Sequence, residues 1–226
     1  MGFVGCSITN PFVWNGKHSE DRKRCNDVGE NPLIPKEFFT QRYLVSNQGP
    51  RIPFFQERVR GKSILHIGCC DSPIGSGSLH RELMSFCKDL TGFDVDTEGI
   101  QVLAKSLPGK YLISWDDVLS LSWDLVIVPE VLEHQINAGL FLYDVFKIPT
   151  REWIITVPHF YPHWRWRTRP SYRLGMFTEI VHPDHRAWYS PHTLVKACEP
   201  WLKYRDWSLY FLEKRSMIAI HITRTG

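Results

Sequence analysis

Four short clusters hold the residue types best suited to chemistry. The first is Gly68-Cys69-Cys70-Asp71-Ser72-Pro73, with Gly75 and Gly77 close behind. A glycine there lets a ligand approach the backbone closely, and a helix that follows offers free N–H groups. The second centres on Asp94, where a carboxylate can accept both hydroxyls of a ribose. The third is Asp116-Asp117-Val118, where an acid can meet an adenine amino group, and the fourth is Pro129-Glu130-Val131-Leu132-Glu133-His134. Each alone has an ordinary alternative, since Gly-rich turns are common and an acid after a strand often caps a helix. Their order and spacing together point to a nucleotide-like ligand. His134 and His159 add groups that titrate near neutrality and could take the proton of an alcohol, although a histidine bonded to backbone is the plain alternative for each.

These clusters need elements to hold them. From Lys62 onward short apolar runs alternate with helical stretches. Strands are expected at 63–68, 90–95, 111–114, 123–128 and 153–157, with helices at 78–88, 97–106 and 131–146 between them. Thr97 is a candidate N-cap. Apolar strands separated by helices imply a parallel sheet with right-handed crossovers. Ligands bind beyond the carboxyl ends of such strands, where all four clusters fall. Near the end, 191–198 reads as a helix, and 203–212 with 215–222 as a closing antiparallel pair. Before the domain, residues 1–33 read as a polar, loosely packed arm, and 34–60 as two short helices with Pro35 and Pro53 in their first turns. Residues 1–60 therefore read as an N-terminal extension and 61–226 as the main domain.

The stretches Ile64-Leu65-His66-Ile67-Gly68-Cys69, Thr91-Gly92-Phe93-Asp94-Val95-Asp96 and Trp123-Asp124-Leu125-Val126-Ile127 through Glu133-His134 look like the class I S-adenosylmethionine-dependent methyltransferases. The resemblance covers about residues 60–222. It implies a Rossmann-like, mostly parallel seven-stranded sheet with an antiparallel C-terminal pair and helices on both faces. It also implies S-adenosylmethionine as cofactor and S-adenosylhomocysteine as product. Gly68 would lie against the methionine part, Asp94 would hold the ribose and Val95 would pack on adenine. Asp117, or alternatively Asp116, would face the adenine amino group, and Pro129 with Glu130 would line the methionine end. His66, Cys69, Cys70 and Val118 flank these positions and are expected at the cofactor too. His66 stands where the family usually has an acid, and Cys70 and Ser72 where it has further glycines. The altered loop with Leu79-His80, together with His182-Pro183-Asp184-His185 and Trp188-Tyr189-Ser190-Pro191, resembles a subgroup of bacterial methyltransferases found with glycan and secondary-metabolite genes.

Between Val157 and Pro191 the chain is too long for a plain connection, and 159–190 reads as a lid over the acceptor side. It interleaves Trp164, Arg165, Trp166 and Arg167 with further rings and arginines, and only Glu179 and Asp184 oppose the positive charge. Aromatic faces stack on sugars or flat rings, and arginine binds phosphate or carboxylate bidentately. Trp164, Arg165, Trp166, Arg167, His182, His185 and Tyr189 are the expected acceptor contacts, and a surface lid whose rings merely pack on the sheet is the alternative. His182 and His185, with Pro183 between them, read as a rigid turn anchored with Asp184 rather than as a metal pair. An acidic or phosphorylated small molecule is the expected acceptor class, with transfer to a hydroxyl of a sugar, nucleotide-sugar or secondary metabolite. An N- or RNA methyltransferase and a non-catalytic binding protein on the same fold are the alternatives.

Composition narrows the field. The chain has 226 residues, 43% hydrophobic and 23% charged, the balance of one folded α/β domain. Its net charge of +3 is small for a phosphate-tracking protein, so nucleic acid is not the expected partner. Six cysteines in a chain this long do not form a disulfide framework, which favours a reducing, cytoplasmic setting. Cys6, His18 and Cys25 are too scattered for zinc, so no metal is expected. No apolar run approaches a membrane span, and Met1-Gly2 is followed by neither a signal-peptide nor a myristoylation pattern. The sequence leaves the oligomeric state open, a homodimer included.

Overall fold

The computed structural model describes residues 41–71, 77–160, 168–171, 176–179 and 182–225. The expected polar arm, 1–33, and the first of the two expected helices lie outside them. From Arg42 onward the chain forms a single unit. It is built on ten strands: β1 (Val45–Asn47), β2 (Ser63–Ile67), β3 (Asp89–Phe93), β4 (Lys110–Leu112), β5 (Leu125–Pro129), β6 (Glu152–Pro158), β7 (Thr168–Ser171), β8 (Met176–Glu179), β9 (Arg205–Leu212) and β10 (Met217–Arg224). Among the described residues six helices accompany them: α1 (Arg51–Val59), α2 (Ser78–Leu83), α3 (Thr97–Ser106), α4 (Trp115–Ser120), α5 (Ala138–Lys147) and α6 (Pro191–Leu202). Among the described residues no helix is long and apolar enough to cross a membrane.

Eight strands make one sheet in the order β1-β9-β10-β6-β5-β2-β3-β4. Strands β4, β3, β2, β5 and β6 run parallel, and β10 is antiparallel to both β6 and β9. This is the expected Rossmann-like architecture with one strand more than the seven anticipated. The extra strand, β1, joins the outer edge of β9 in parallel, with Val45 opposite Leu209. Within the segment expected to form a lid, β7 and β8 pair antiparallel as a separate two-stranded sheet.

The central strands are buried on both sides, which is why they read as near-continuous apolar runs. Leu65, Ile67, Val126, Val128, Trp153 and Ile155 face one core with Leu142 and Val145 of α5 and Leu194 and Cys198 of α6. Ile64, Leu125, Ile127 and Ile154 face the other, against Phe54 and Phe55 of α1 and Leu79 and Leu83 of α2. Helix α1 is therefore an integral layer, and the packed unit takes in residues 42–60 that the sequence placed in an extension. Local signals set several boundaries. Asp96, not Thr97, caps α3 by accepting the Gly99 amide at 3.0 Å. Ser190 and Thr193 form a reciprocal capping box at the start of α6, with Pro191 in its first turn. The helix expected over 131–146 is divided: a single 3-10 turn at Leu132–His134 is followed by α5, whose cap is the Asn137 side chain.

Candidate active site

The carboxyl ends of β2, β3 and β5 meet in one place. Gly68 leaves β2 at φ +77°, and a Cβ built there would lie 2.3 Å from Val131 Cγ2. Only glycine accepts both that left-handed conformation and the close packing. Its amide donates to the Phe93 carbonyl at 2.8 Å, which ties the end of β2 to β3. Asp94, half-buried after β3, accepts the Cys70 amide at 3.1 Å on one oxygen and the Asp96 amide at 3.0 Å on the other. Gly68, Cys70, Asp94 and Val131 therefore form one linked rim. Val95 is 71% exposed beside it, an uncovered apolar side chain of the kind that a flat ring can cover. Asp116 and Asp117 are exposed in the first turn of α4, and Trp115 packs edge-on against Phe93 at 4.7 Å.

At the end of β5, Pro129 is buried and Glu130 takes φ +53°. A non-glycine residue there carries strain that the surroundings must hold. They do: the Glu130 carboxylate is paired with the Arg51 guanidinium and accepts the Thr156 hydroxyl at 3.2 Å, while its amide donates to the Thr156 carbonyl. Arg51 comes from α1, so this partner was invisible while residues up to 60 were read as an extension.

Three other expected cofactor positions, His66, Cys69 and Val118, are buried. His66 is buried, its Nδ1 3.1 Å from His80 Nδ1, with the two rings stacked at 5.3 Å. Burial, with smaller contributions from His80 and Arg51, holds the His66 imidazole well below its usual range, and burial brings His80 down to about 4. His66 thus braces β2 against α2 rather than opening onto the strand end. Val118 is fully buried in the core, so on α4 the exposed Asp116 and Asp117, and not Val118, are open to a ligand. Cys69 is buried and Cys70 half-buried. Burial raises both thiols, Cys70 to about 12, so neither is a thiolate at neutral pH.

Toward the acceptor side, His159 differs from the expectation of an imidazole held out over the cofactor end. It is 7% exposed, its Nδ1 lies 2.9 Å from the Arg215 carbonyl, and its ring packs on Phe211 at 5.0 Å. The antiparallel strand β10 supplies the reason: the β9–β10 turn closes over the end of β6, and the His159 amide donates to Ser216. Tyr189 is likewise core, 5% exposed and bridged to His159, and burial raises its hydroxyl to about 12. Trp164, Arg165, Trp166 and Arg167 lie outside the described residues.

His134 remains partly open, and it has company. Its ring lies 4.8 Å from that of His185 and 5.7 Å from that of His182, and those two stack at 4.7 Å. Asp184 donates its amide to His182 Nδ1 at 3.3 Å. The Glu133 carbonyl accepts the amides of Arg186 at 2.7 Å and Ala187 at 3.3 Å, which clamps the two segments together. The Glu133 side chain is 1% exposed, and neither carboxylate oxygen has a hydrogen-bond partner among the described residues. Burial, reinforced by the Glu130 charge, pushes its carboxyl up to about 8. Glu133 stands in the fourth sequence cluster but was assigned no role there. The available signal was a second acid three residues after Glu130, directly behind the apolar pair Val131-Leu132.

No protein-family model matches the chain, and no curated protein matches it. Solved structures do. The N-methyltransferase NodS from Bradyrhizobium japonicum WM9 is 15% identical at a TM-score of 0.50, covering 78% of this chain and 93% of that one. The methyltransferase domain of bacterial CtHen1 is 16% identical at 0.53, covering 76% and 95%. A chain of the Pnkp1/Rnl/Hen1 RNA repair complex is 16% identical at 0.55, covering 77% of this chain but only 41% of its own length. At this identity the likeness is one of architecture. The chain has the class I methyltransferase fold.

Proposed function

We propose that this protein is an S-adenosylmethionine-dependent methyltransferase acting on a hydroxyl of a sugar, nucleotide-sugar or secondary metabolite. The observation that carries the reading is the linked rim at the ends of β2, β3 and β5, where Gly68 at φ +77° packs on Val131 and Asp94 holds the Cys70 amide. Gly68 and Cys70 would meet the methionine part, Asp94 the ribose, Val95 the adenine face and Asp116 or Asp117 the adenine amino group. When bound, the cofactor supplies an electrophilic methyl group to an acceptor held in line with it. The chain's share is to hold that alignment. Of the two histidines first considered for the acceptor, His134 is the one on the open side, and we assign it to positioning the acceptor oxygen.

Calorimetric titration of the full chain with S-adenosylhomocysteine tests the reading. Micromolar affinity is expected, weakened by about 1.5–3 kcal/mol in Asp94→Ala as charge-assisted hydrogen bonds are lost. An absence of binding would overturn it and favour a non-catalytic protein on this fold. A second reading, an RNA acceptor, draws support from the likeness to a chain of an RNA repair complex. Transfer of labelled methyl groups to RNA, with none to a panel of sugars and nucleotide-sugars, would select it.

A further inference from the structure

We infer that His134, His182 and His185 form a binding site for one divalent metal ion of the zinc type, with the Glu133 carboxylate as its buried counter-charge. The coordinating nitrogens of the three imidazoles all lie within 4.8 Å of one another. In a tetrahedral zinc site, with Zn–N of about 2.0–2.1 Å, neighbouring donors stand about 3.4 Å apart. The group is thus within about 1.4 Å of ligating geometry, a distance that side-chain rotation covers. Three imidazoles select zinc, cobalt or nickel over magnesium or calcium, which want oxygen donors.

A second, independent observation points the same way. Glu133 Oε1 lies 4.0 Å from His134 Nε2, and the side chain is 1% exposed with neither oxygen hydrogen-bonded among the described residues. A buried carboxylate without hydrogen bonds or a counter-charge is costly. A cation held by the adjacent imidazoles removes that cost. The backbone already fixes the arrangement, since the Glu133 carbonyl takes the Arg186 and Ala187 amides and the His185 amide turns back to the His182 carbonyl at 3.1 Å. The spacing His182-Pro183-Asp184-His185 alone looked like a rigid turn. The fold supplies the third imidazole from the far end of β5. The inference stands apart from the cofactor reading, because the site uses none of the residues assigned to the cofactor.

The test uses the tag-free full chain, stripped with a chelator and titrated with zinc by calorimetry. One equivalent is expected to bind, and cobalt in its place should give the visible absorption of a tetrahedral ion with nitrogen ligands. His182→Ala changes a half-exposed side chain, so folding is not at risk, and the affinity should fall by about 10²-fold or more. Glu133→Gln should lower it by about tenfold. His192→Ala, whose ring instead bonds the Tyr43 hydroxyl at 2.9 Å, should leave it unchanged. Zinc should also raise the melting temperature of the parent but not of His182→Ala. Absence of saturable zinc binding, or unchanged affinity in the double variant His182→Ala/His185→Ala, would overturn the site.

Discussion

The stacked pair His66 and His80 shows what burial does to a single titratable group. Both imidazoles have folded-state values below the ordinary one of about 6.5, His80 near 4. Below pH 6.5 the unfolded chain therefore takes up protons that the folded chain refuses. Stability is fully present above about pH 6.5 and declines as pH falls toward 4, by up to about 1.4 kcal/mol per pH unit for His80, with His66 acting in the same direction. Urea melts between pH 7 and 5 should show this slope, and His80→Gln should flatten it. A parent whose stability is constant over that range would contradict the assignment. Neither feature could be foreseen from sequence: His66 sits in an apolar strand and His80 in the next helix, and only the packing of α2 on β2 brings their rings to 5.3 Å. The three clustered histidines pose the same problem, since their neighbourhood depends on where the segment 182–190 lands.

Among the elements, those whose signal is local were legible. The central strands announce themselves as apolar runs because both faces are buried, and their bounds fall within about two residues of expectation. The closing antiparallel pair was also found, as was the start of α6. What escaped was structure set by tertiary contacts. Strand β1 has three residues, two of them exposed, so no alternation marks it. Helix α1 was expected as a helix but not as part of the domain, since nothing local shows which sheet face Phe54 and Phe55 will cover. Phe55 is fully buried there. Phe55→Ala should therefore cost about 3–5 kcal/mol of unfolding free energy, as for a core phenylalanine. A loss below 1 kcal/mol in denaturant titration would mean that α1 is peripheral after all.

For the whole molecule, ligand binding and stability are linked. If S-adenosylhomocysteine binds only the folded chain, a concentration one hundred times its dissociation constant adds about 2.7 kcal/mol. For a unit of this size that should raise the melting temperature by roughly 5–11 °C, at about 2–4 °C per kcal/mol. Thermal scans with and without the ligand measure it directly, and no shift at saturating ligand would speak against cofactor binding.

The placement of β1 also has a consequence for how the chain is made. Val45 pairs with Leu209 and Asn47 with Phe211, so β1 finds its partner in a strand made roughly 160 residues later. At about 5–20 residues per second, β1 waits on the order of ten to thirty seconds for β9 to emerge. Throughout that interval its backbone has no ladder to join, while β2 to β6 can already pair with one another. The sheet must therefore grow outward from its centre and seal its β9 edge only once β9 has emerged, which makes that edge the place where a nascent chain is most open to a chaperone or to a neighbouring copy.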